Sequence, residues 1–386
     1  MMILRKALVS FVSLCNLPHF TCSFLHNTHL SKSANVMTPK TFISSSSSLD
    51  TTTDTTLNHI DGINQLTNSY STFLLDMWGV MHDGTHTYEG VKENIQNLRQ
   101  NGKKIIILSN SSKTLDNAVR TLTKLGFDPS KDFDQIITSG DVSHRMLSGD
   151  KTLKCSTWNI LDNLIQQNKK NVFVLGSGDN DEEYCTSCGW NLSSIDDADL
   201  IIARGTFTIN DGSGNIISKN DDEEAYFKAL EDVLDKASKR QVPMLVTNPD
   251  KVRPDKDLPP MPGAIGDAYE KNLSSAGLDN SLVKRIGKPY PEVYELAMND
   301  CDDTSSVIMV GDALETDISG GKWSNIDSVW VVNDGIHSAR VEELMKDDNV
   351  SFEDSLNVVL KDFSDMKGYK GDDRLCPTFA AKHFRW

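Results

Sequence analysis

Residues 74–84 read Leu74-Leu75-Asp76-Met77-Trp78-Gly79-Val80-Met81-His82-Asp83-Gly84. Apolar residues lead into Asp76, and a turn punctuated by glycine follows it. This order is typical of a buried parallel strand that presents a carboxylate at its C-terminal end, where open α/β sheets keep their binding sites. The segment therefore predicts that Asp76 lies at the functional edge of a parallel sheet, although a single strand-end Asp also fits a turn or a helix cap.

The residues that follow alternate between helix and strand patterns. Apolar side chains at helical spacing occupy residues 89–101, and an apolar strand pattern follows at residues 103–108. Thr114 then opens a second helix pattern, which ends at Gly126. Strand, helix, strand, helix is the order of a parallel sheet covered by helices, so we predict an α/β fold.

The middle of the chain is too long to be a loop. Nearly 180 residues separate Ser109 from Lys288, and they contain strand and helix patterns of their own. The predicted strands are residues 136–138, 172–175, 200–202 and 243–246, and residues 209–215 predict a hairpin turn. We therefore predict that residues 126–280 form a second, inserted α/β domain.

Three later segments join Asp76 as candidates for a common site. They are Ile106-Ile107-Leu108-Ser109-Asn110-Ser111-Ser112, Gly287-Lys288-Pro289-Tyr290-Pro291-Glu292 and Gly311-Asp312-Ala313-Leu314-Glu315-Thr316-Asp317. Taken singly, each also fits an ordinary role, such as a helix cap or a surface lysine. Their order along the chain is more specific than any one of them.

With these four segments the chain resembles the haloacid dehalogenase-like (HAD) hydrolases, in particular the class IIA branch of nitrophenyl-phosphatase-like and phosphoglycolate-phosphatase-like enzymes. The resemblance extends over about 245 residues. It implies a doubly wound, Rossmann-like parallel-sheet core with an inserted α/β cap domain. The predicted organisation is a targeting leader at 1–49, a linker at 50–67, a catalytic core at 68–125 and 281–337, a cap at 126–280 and a C-terminal extension packed on the core at 338–386.

The resemblance implies a phosphoric monoester hydrolase that acts on a small phosphorylated metabolite. Asp76 would be the nucleophile, forming an aspartyl-phosphate and so dividing hydrolysis into two steps. Ser109 and Lys288 would bind phosphate oxygens as charge develops on them. The substrate-binding residues would be Asn110, Asp250 and Trp78.

The same resemblance implies a metal site. Its ligands would be Asp76, the main-chain carbonyl of Trp78, Asp312 and Asp317. Carboxylates at neighbouring strand ends repel one another unless a cation lies between them. Mg²⁺ suits this role because it prefers oxygen ligands, retains water and binds one or two carboxylates together with a substrate phosphate.

Trp78 departs from the family pattern. Phosphatases of this family usually carry a second Asp two residues after the nucleophile, where it protonates the leaving oxygen and later activates water. Such a group contributes roughly 10²–10⁴-fold to the rate, and an indole cannot replace it.

Four interpretations remain open. The enzyme is restricted to good leaving groups, or His82 or Asp83 supplies the proton, or turnover has been lost and the chain is a regulatory protein that binds a phosphate ligand. Dehalogenation or carbon–phosphorus cleavage is a weaker fourth interpretation, because those relatives usually carry other caps.

The net charge and the N-terminal segment limit the cellular locations and the binding partners that we expect for this protein. The net charge of −16 and the absence of a basic cluster argue against nucleic acid as a partner. Residues 1–49 contain no acidic side chain, a short apolar run and many Ser and Thr, which is typical of a targeting leader. We expect an organellar protein, in a plastid rather than a mitochondrion. The alternatives are a plain mitochondrial or secretory leader and a disordered tail.

The apolar run of the leader is too short to span a bilayer, so we expect no membrane association of the mature protein. An exposed apolar face on the cap would favour a homodimer, but the sequence does not locate such a face.

Overall fold

A computed structural model describes residues 57–153, 158–253, 259–367 and 375–386. The predicted leader lies outside these residues, as does the first part of the predicted linker. Among the described residues, no helix combines the length and the apolar character that crossing a bilayer requires.

Fourteen strands and twelve α-helices form the described part of the chain. The strands are β1 (Asn58–Ile60), β2 (Thr72–Leu75), β3 (Lys104–Ser109), β4 (Gln135–Thr138), β5 (Asn171–Gly176), β6 (Asn191–Leu192), β7 (Leu200–Ala203), β8 (Thr208–Asn210), β9 (Ile216–Ser218), β10 (Met244–Val246), β11 (Val283–Arg285), β12 (Val307–Gly311), β13 (Asp327–Val331) and β14 (Phe379–Ala381). The helices are α1 (Val91–Gln100), α2 (Leu115–Lys124), α3 (Pro129–Asp132), α4 (Ser139–Leu147), α5 (Asn159–Gln166), α6 (Asp181–Thr186), α7 (Glu223–Arg240), α8 (Pro262–Ser275), α9 (Pro291–Met298), α10 (Ser319–Trp323), α11 (Ser338–Leu344) and α12 (Phe352–Lys367).

The first sheet is the core. Its seven strands lie in the order β1-β14-β13-β12-β2-β3-β4, and every neighbouring pair is parallel. The central strands contain buried apolar runs, such as Phe73 to Leu75 on β2 and Ile105 to Leu108 on β3, because both faces of the sheet are covered. On β2, Leu74 packs into one hydrophobic cluster, whereas Phe73 and Leu75 pack into another with helix α1. The predicted doubly wound parallel sheet is confirmed.

The second sheet belongs to the inserted cap. Its strands lie in the order β11-β10-β7-β5-β8-β9, and β6 also pairs with β5. The strands from β11 to β5 are parallel, and β8 and β9 form an antiparallel hairpin at the other edge. This hairpin lies where residues 209–215 predict a turn.

Three domain boundaries differ from the prediction. The predicted cap, residues 126–280, includes β4, but β4 pairs with β3 in the core sheet. The predicted core, residues 281–337, includes β11, but β11 pairs with β10 in the cap sheet. Strand β1 falls within the predicted linker, yet it pairs with β14 in the core. The apolar run of β4 identifies a strand but does not say which of two parallel sheets it joins. Strands β1 and β11 contain no apolar run, so the sequence does not mark them as strands.

The cap contacts the core beside the predicted site. The Ser112 hydroxyl donates a hydrogen bond of 2.6 Å to the main-chain oxygen of Arg204. The ammonium of the neighbouring Lys113 lies 2.9 Å from Asp179 Oδ2. The loop after β3 is therefore fixed to the cap immediately after Ser109 and Asn110.

Candidate active site

Three adjacent strands bring the predicted residues to one edge of the core sheet. Asp76 follows β2, its N–H donates to Val310 O at 2.9 Å, and β2 lies between β3 and β12. Ser109 ends β3 on one side, and Asp312 follows β12 on the other. Because the strands are parallel, all three side chains emerge at their C-terminal ends. The order of the strands thus explains why Asp312 lies close to Asp76 and Ser109, although more than 200 positions separate it from each of them in the sequence.

Three carboxylates form a compact acidic cluster. One oxygen from each of Asp76, Asp312 and Asp317 lies within 4.8 Å of the other two. Burial raises the pKa of Asp317 to about 6, with Lys288 opposing the shift and Asp76 adding to it. Burial, together with the charges of Asp317 and Asp76, raises the pKa of Asp312 well above its ordinary value. The cluster is therefore under strong like-charge repulsion.

Lys288 is the cation that faces this cluster. Its ammonium lies 2.5 Å from Asp76 Oδ1 and 2.8 Å from Asp317 Oδ1, and the side chain is only 2 % exposed. Burial alone would lower the pKa of Lys288, but the facing carboxylates of Asp317 and Asp76 outweigh it and raise that pKa. The lysine therefore stays charged.

The charges of the cluster fit a divalent cation. When all three carboxylates are ionised, the single ammonium leaves two negative charges in a buried space, which a divalent ion would neutralise. Within the described part of the chain, no hydrogen-bond donor reaches the main-chain oxygen of Trp78, which the sequence predicts as a metal ligand. An all-oxygen donor set suits Mg²⁺. The residues that would hold the ion are Asp76, Trp78 through its carbonyl, Asp312 and Asp317.

Glycine lets the backbone pass close to the cluster. Gly79 has a φ of +78°, and a Cβ at this position would lie 2.3 Å from Asp312 Oδ2. A side chain here would push Asp312 away from Asp76. The glycine of the opening segment is thus required both by the turn and by the carboxylate that it faces.

Asn110 joins the cap to Lys288. Its amide donates to Asp250 Oδ1 at 2.7 Å and to the main-chain oxygen of Lys288 at 3.0 Å. Its own side-chain oxygen accepts the N–H of Lys288 at 2.6 Å. Burial raises the pKa of Asp250 to about 7, against the opposing hydrogen bond from Asn110. Asp250 is therefore placed to act on Lys288 through Asn110.

Neither of the two candidate replacements for the missing acid suits proton donation at neutral pH. Asp83 Oδ1 accepts the N–H groups of Thr85 and His86, and these hydrogen bonds lower the pKa of Asp83 to about 2. Burial lowers the pKa of His82 to about 4, and its Nδ1 accepts the N–H of Gly84. At neutral pH, Asp83 is therefore ionised and His82 is neutral.

The indole of Trp78 packs on the turn that follows it. Its ring centroid is 5.8 Å from that of His82, and a Cβ on Gly84 would lie 2.5 Å from Trp78 Cη2. The side chain is half-buried. The position two residues after Asp76 therefore presents no ionisable group.

Sequence reasoning missed the residues that hold Asp312. The N–H of Ile336 donates to Asp312 Oδ2 at 2.8 Å, and Trp330 Nε1 donates to the main-chain oxygen of Asp312 at 3.1 Å. Main-chain donors leave no signal in a sequence. Trp330 carries only a weak one, because an indole in a buried strand needs a hydrogen-bond acceptor.

Two family models match the chain. The model described as haloacid dehalogenase-like hydrolase matches residues 73–191, and one described as HAD-hydrolase-like matches residues 285–365. The first match contains Asp76 and Ser109, and the second contains Lys288, Asp312 and Asp317. The residues between the two matches contain much of the cap.

Similar proteins have phosphatase names. An acid sugar phosphatase of Staphylococcus haemolyticus is 24% identical over 297 residues, which are 76% of this chain and 97% of the relative. A solved structure of a possible sugar phosphatase from Cytophaga hutchinsonii has a TM-score of 0.57 at 19% identity. The match covers 85% of this chain and 99% of the Cytophaga chain. The solved structure of a 4-nitrophenylphosphatase from Thermotoga maritima has a TM-score of 0.52 at 20% identity. The match covers 83% of this chain and 96% of the Thermotoga chain. At such identities the two structures show a shared fold.

The burial of Asp312 and its repulsion by Asp317 and Asp76 predict a pH-dependent effect of Asp312→Asn. Because the pKa of Asp312 is raised in the folded state, this carboxyl destabilises the fold above its unfolded pKa and has no such effect near pH 4. In metal-free buffer, Asp312→Asn should raise the melting temperature by a few degrees at pH 7 and much less at pH 4. Scanning calorimetry at both pH values measures this.

Asp232→Asn is the matched control, since Asp232 is exposed on α7, and it should change little at either pH. Equal effects of Asp312→Asn at the two pH values would contradict the argument from repulsion.

Proposed function

The chain belongs to the haloacid dehalogenase-like hydrolases, and we propose that it is a Mg²⁺-dependent phosphatase that hydrolyses a small phosphorylated metabolite through an aspartyl-phosphate on Asp76. The observation that carries this proposal is the meeting of Asp76, Lys288, Asp312 and Asp317 at one edge of the core sheet. A nucleophile, a fixed cation and an acidic metal-binding cluster are the parts that phosphoryl transfer needs.

In the first step, a carboxylate oxygen of Asp76 attacks phosphorus and the bond to the leaving oxygen breaks. Lys288 neutralises charge on the phosphoryl oxygens, and the Ser109 hydroxyl donates a hydrogen bond to one of them. A bound Mg²⁺ would offset the repulsion between Asp76 and the phosphate and polarise the phosphoryl group. The product of this step is an acyl phosphate on Asp76.

In the second step, water attacks the phosphorus of the aspartyl-phosphate, and inorganic phosphate and the free Asp76 carboxylate are released. Lys288 again faces the developing charge. Its position depends on Asn110, which binds both the N–H and the carbonyl oxygen of Lys288. Asp250 holds the amide of Asn110 from the cap side, so the cap contributes to the geometry of the lysine.

Trp78 limits the substrates that this chemistry suits. Without a carboxyl two residues after Asp76, the leaving oxygen receives no proton from that position, and His82 and Asp83 do not replace it at neutral pH. We therefore propose that acyl, enol or aryl phosphates react faster than alkyl phosphates. Sugar phosphates, which the names of the relatives suggest, are the natural comparison because most of them have poor leaving groups.

Hydrolysis of 4-nitrophenyl phosphate by the purified chain, with and without Mg²⁺, tests the proposal. We expect metal-dependent turnover that Asp76→Asn lowers by at least about 10³-fold, because the amide cannot form the covalent intermediate. Asp83→Asn is the control, and it should retain activity within tenfold of the wild type.

A wild-type chain without turnover would contradict the enzyme proposal. If orthophosphate still raised the melting temperature of that chain, the alternative of a phosphate-binding regulatory protein would be favoured.

The substitution Trp78→Asp should extend the substrate range. A carboxyl at this position can protonate a poor leaving oxygen, so kcat/KM for a sugar phosphate should rise by roughly 10²-fold or more. The gain for 4-nitrophenyl phosphate should be much smaller, because its leaving group needs little protonation. Trp78→Phe, which removes the indole without adding an acid, should give neither gain. Equal gains on both substrates would show that the indole acts only by its size.

The link from Asp250 through Asn110 to Lys288 predicts non-additive kinetics. Asn110→Ala should lower kcat about 10²-fold by freeing the backbone of Lys288, and Asp250→Asn should lower it less. If Asp250 acts through Asn110, Asp250→Asn should have almost no effect in the Asn110→Ala background. Additive losses would instead mean that Asp250 contacts the substrate directly. Initial rates of the four proteins with 4-nitrophenyl phosphate complete this double-mutant cycle.

A further inference from the structure

The C-terminal segment contacts two loops at the edge of the site. The main-chain oxygen of Lys382 accepts the N–H of Asn333 at 2.9 Å. His383 Nδ1 lies 2.8 Å from Asp334 Oδ2. Arg385 Nε donates to the main-chain oxygen of Glu89 at 2.9 Å, in the loop that leads from Asp76 into α1. The segment thus joins the loop after β13 to the loop after β2.

The loop after β13 (residues 332–336) holds Asp312. The N–H of Ile336 donates to Asp312 Oδ2 at 2.8 Å. Gly335 lies against the same side chain, since a Cβ at Gly335 would be 2.3 Å from Asp312 Cβ. The loop therefore determines both the direction and the depth of the Asp312 carboxylate.

Asp334 is the point at which this loop is anchored. Its carboxylate is paired with His383, and its main-chain oxygen accepts the hydroxyl of Tyr88 at 2.9 Å. The side chain of Asp334 is 11 % exposed and that of His383 is 29 % exposed, so the pair is largely shielded from solvent. Loss of the imidazole would leave a mostly buried carboxylate without this partner, and such a group tends to move towards water.

We propose that His383 is a positioning residue for the divalent-cation site. Its imidazole fixes Asp334, and through Asp334 the loop that aims Asp312 at Asp76 and Asp317. The acidic cluster needs such support, because the three carboxylates repel one another and move apart unless contacts of the backbone hold them in place. This inference rests on the proposed metal-dependent function and adds to it a residue more than 60 positions beyond the last ligand.

Direct binding of Mn²⁺ to the full chain tests the proposal without a substrate. Electron paramagnetic resonance of free Mn²⁺ gives the dissociation constant. We expect His383→Leu to weaken Mn²⁺ binding by about 10–100-fold, which is the usual effect of removing a group that orients a ligand. His383→Asn places an amide N–H near the position of Nδ1 and should recover most of the affinity. His383→Gln, whose amide reaches the position of Nε2, should not.

Thr378→Val is the matched control for loosening of the C-terminal strand. Thr378 Oγ1 donates to Asp327 Oδ1 at 2.8 Å, at the opposite end of β14 from the site. This substitution should lower the melting temperature about as much as His383→Leu does, while Mn²⁺ affinity stays within twofold of the wild type. The comparison separates positioning of Asp312 from general stability.

The outcomes distinguish the two proposals. If the wild type binds Mn²⁺ and His383→Leu binds it with the same affinity, the proposed role of His383 is overturned and the phosphatase proposal is left intact. Equal weakening in Thr378→Val and His383→Leu would also overturn it, because the segment would then act only through stability. A wild-type chain that binds no Mn²⁺ and hydrolyses no phosphate ester would overturn both.

Discussion

The ion pairs of Lys288 are the interaction on which the site depends. A buried ammonium lies between Asp76 and Asp317, and a third carboxylate, Asp312, completes a cluster that one lysine cannot neutralise. Burying charges of one sign is costly unless they are paired, and here part of the charge is left unpaired. The surrounding fold must therefore hold the carboxylates together against their repulsion. The parallel sheet does this by placing Asp76 and Asp312 at the ends of the adjacent strands β2 and β12, and the neighbouring loops supply main-chain donors.

The unpaired negative charge of the cluster bears on both stability and cation binding. The same excess of negative charge that destabilises the metal-free cluster would attract a divalent cation, and a bound ion would relieve the repulsion. The cap is part of this balance as well. It reaches Lys288 through the side chains of Asp250 and Asn110, so the inserted domain bears on the position of this lysine.

The sequence was sufficient to predict the family, the α/β class and the residues that meet at the sheet edge. Asp76, Ser109 and Asp312 could be found because each follows an apolar strand, and the chemistry of strand ends is local in sequence. The sheet to which a strand belongs is not local in sequence, so the sequence places β4 in the wrong domain, and β1 and β11 contain no apolar run that would mark them as strands. The link of Lys288 to Asp250 and the pair of His383 with Asp334 depend on three-dimensional contacts between distant segments, for which no spacing rule exists. The roles of the individual site residues stay predictions.

The order of the core sheet also bears on the way the chain is made. Strand β14 lies between β1 and β13, so the first described strand has no neighbour until the last one has left the ribosome. The cap strands are contiguous in sequence and can pair long before that moment. Until residues 379–381 arrive, the open side of β13 presents unpaired backbone groups of the kind that promote association between chains. During synthesis the core sheet is thus completed later than the cap sheet, and residues 379–381 are needed to close it.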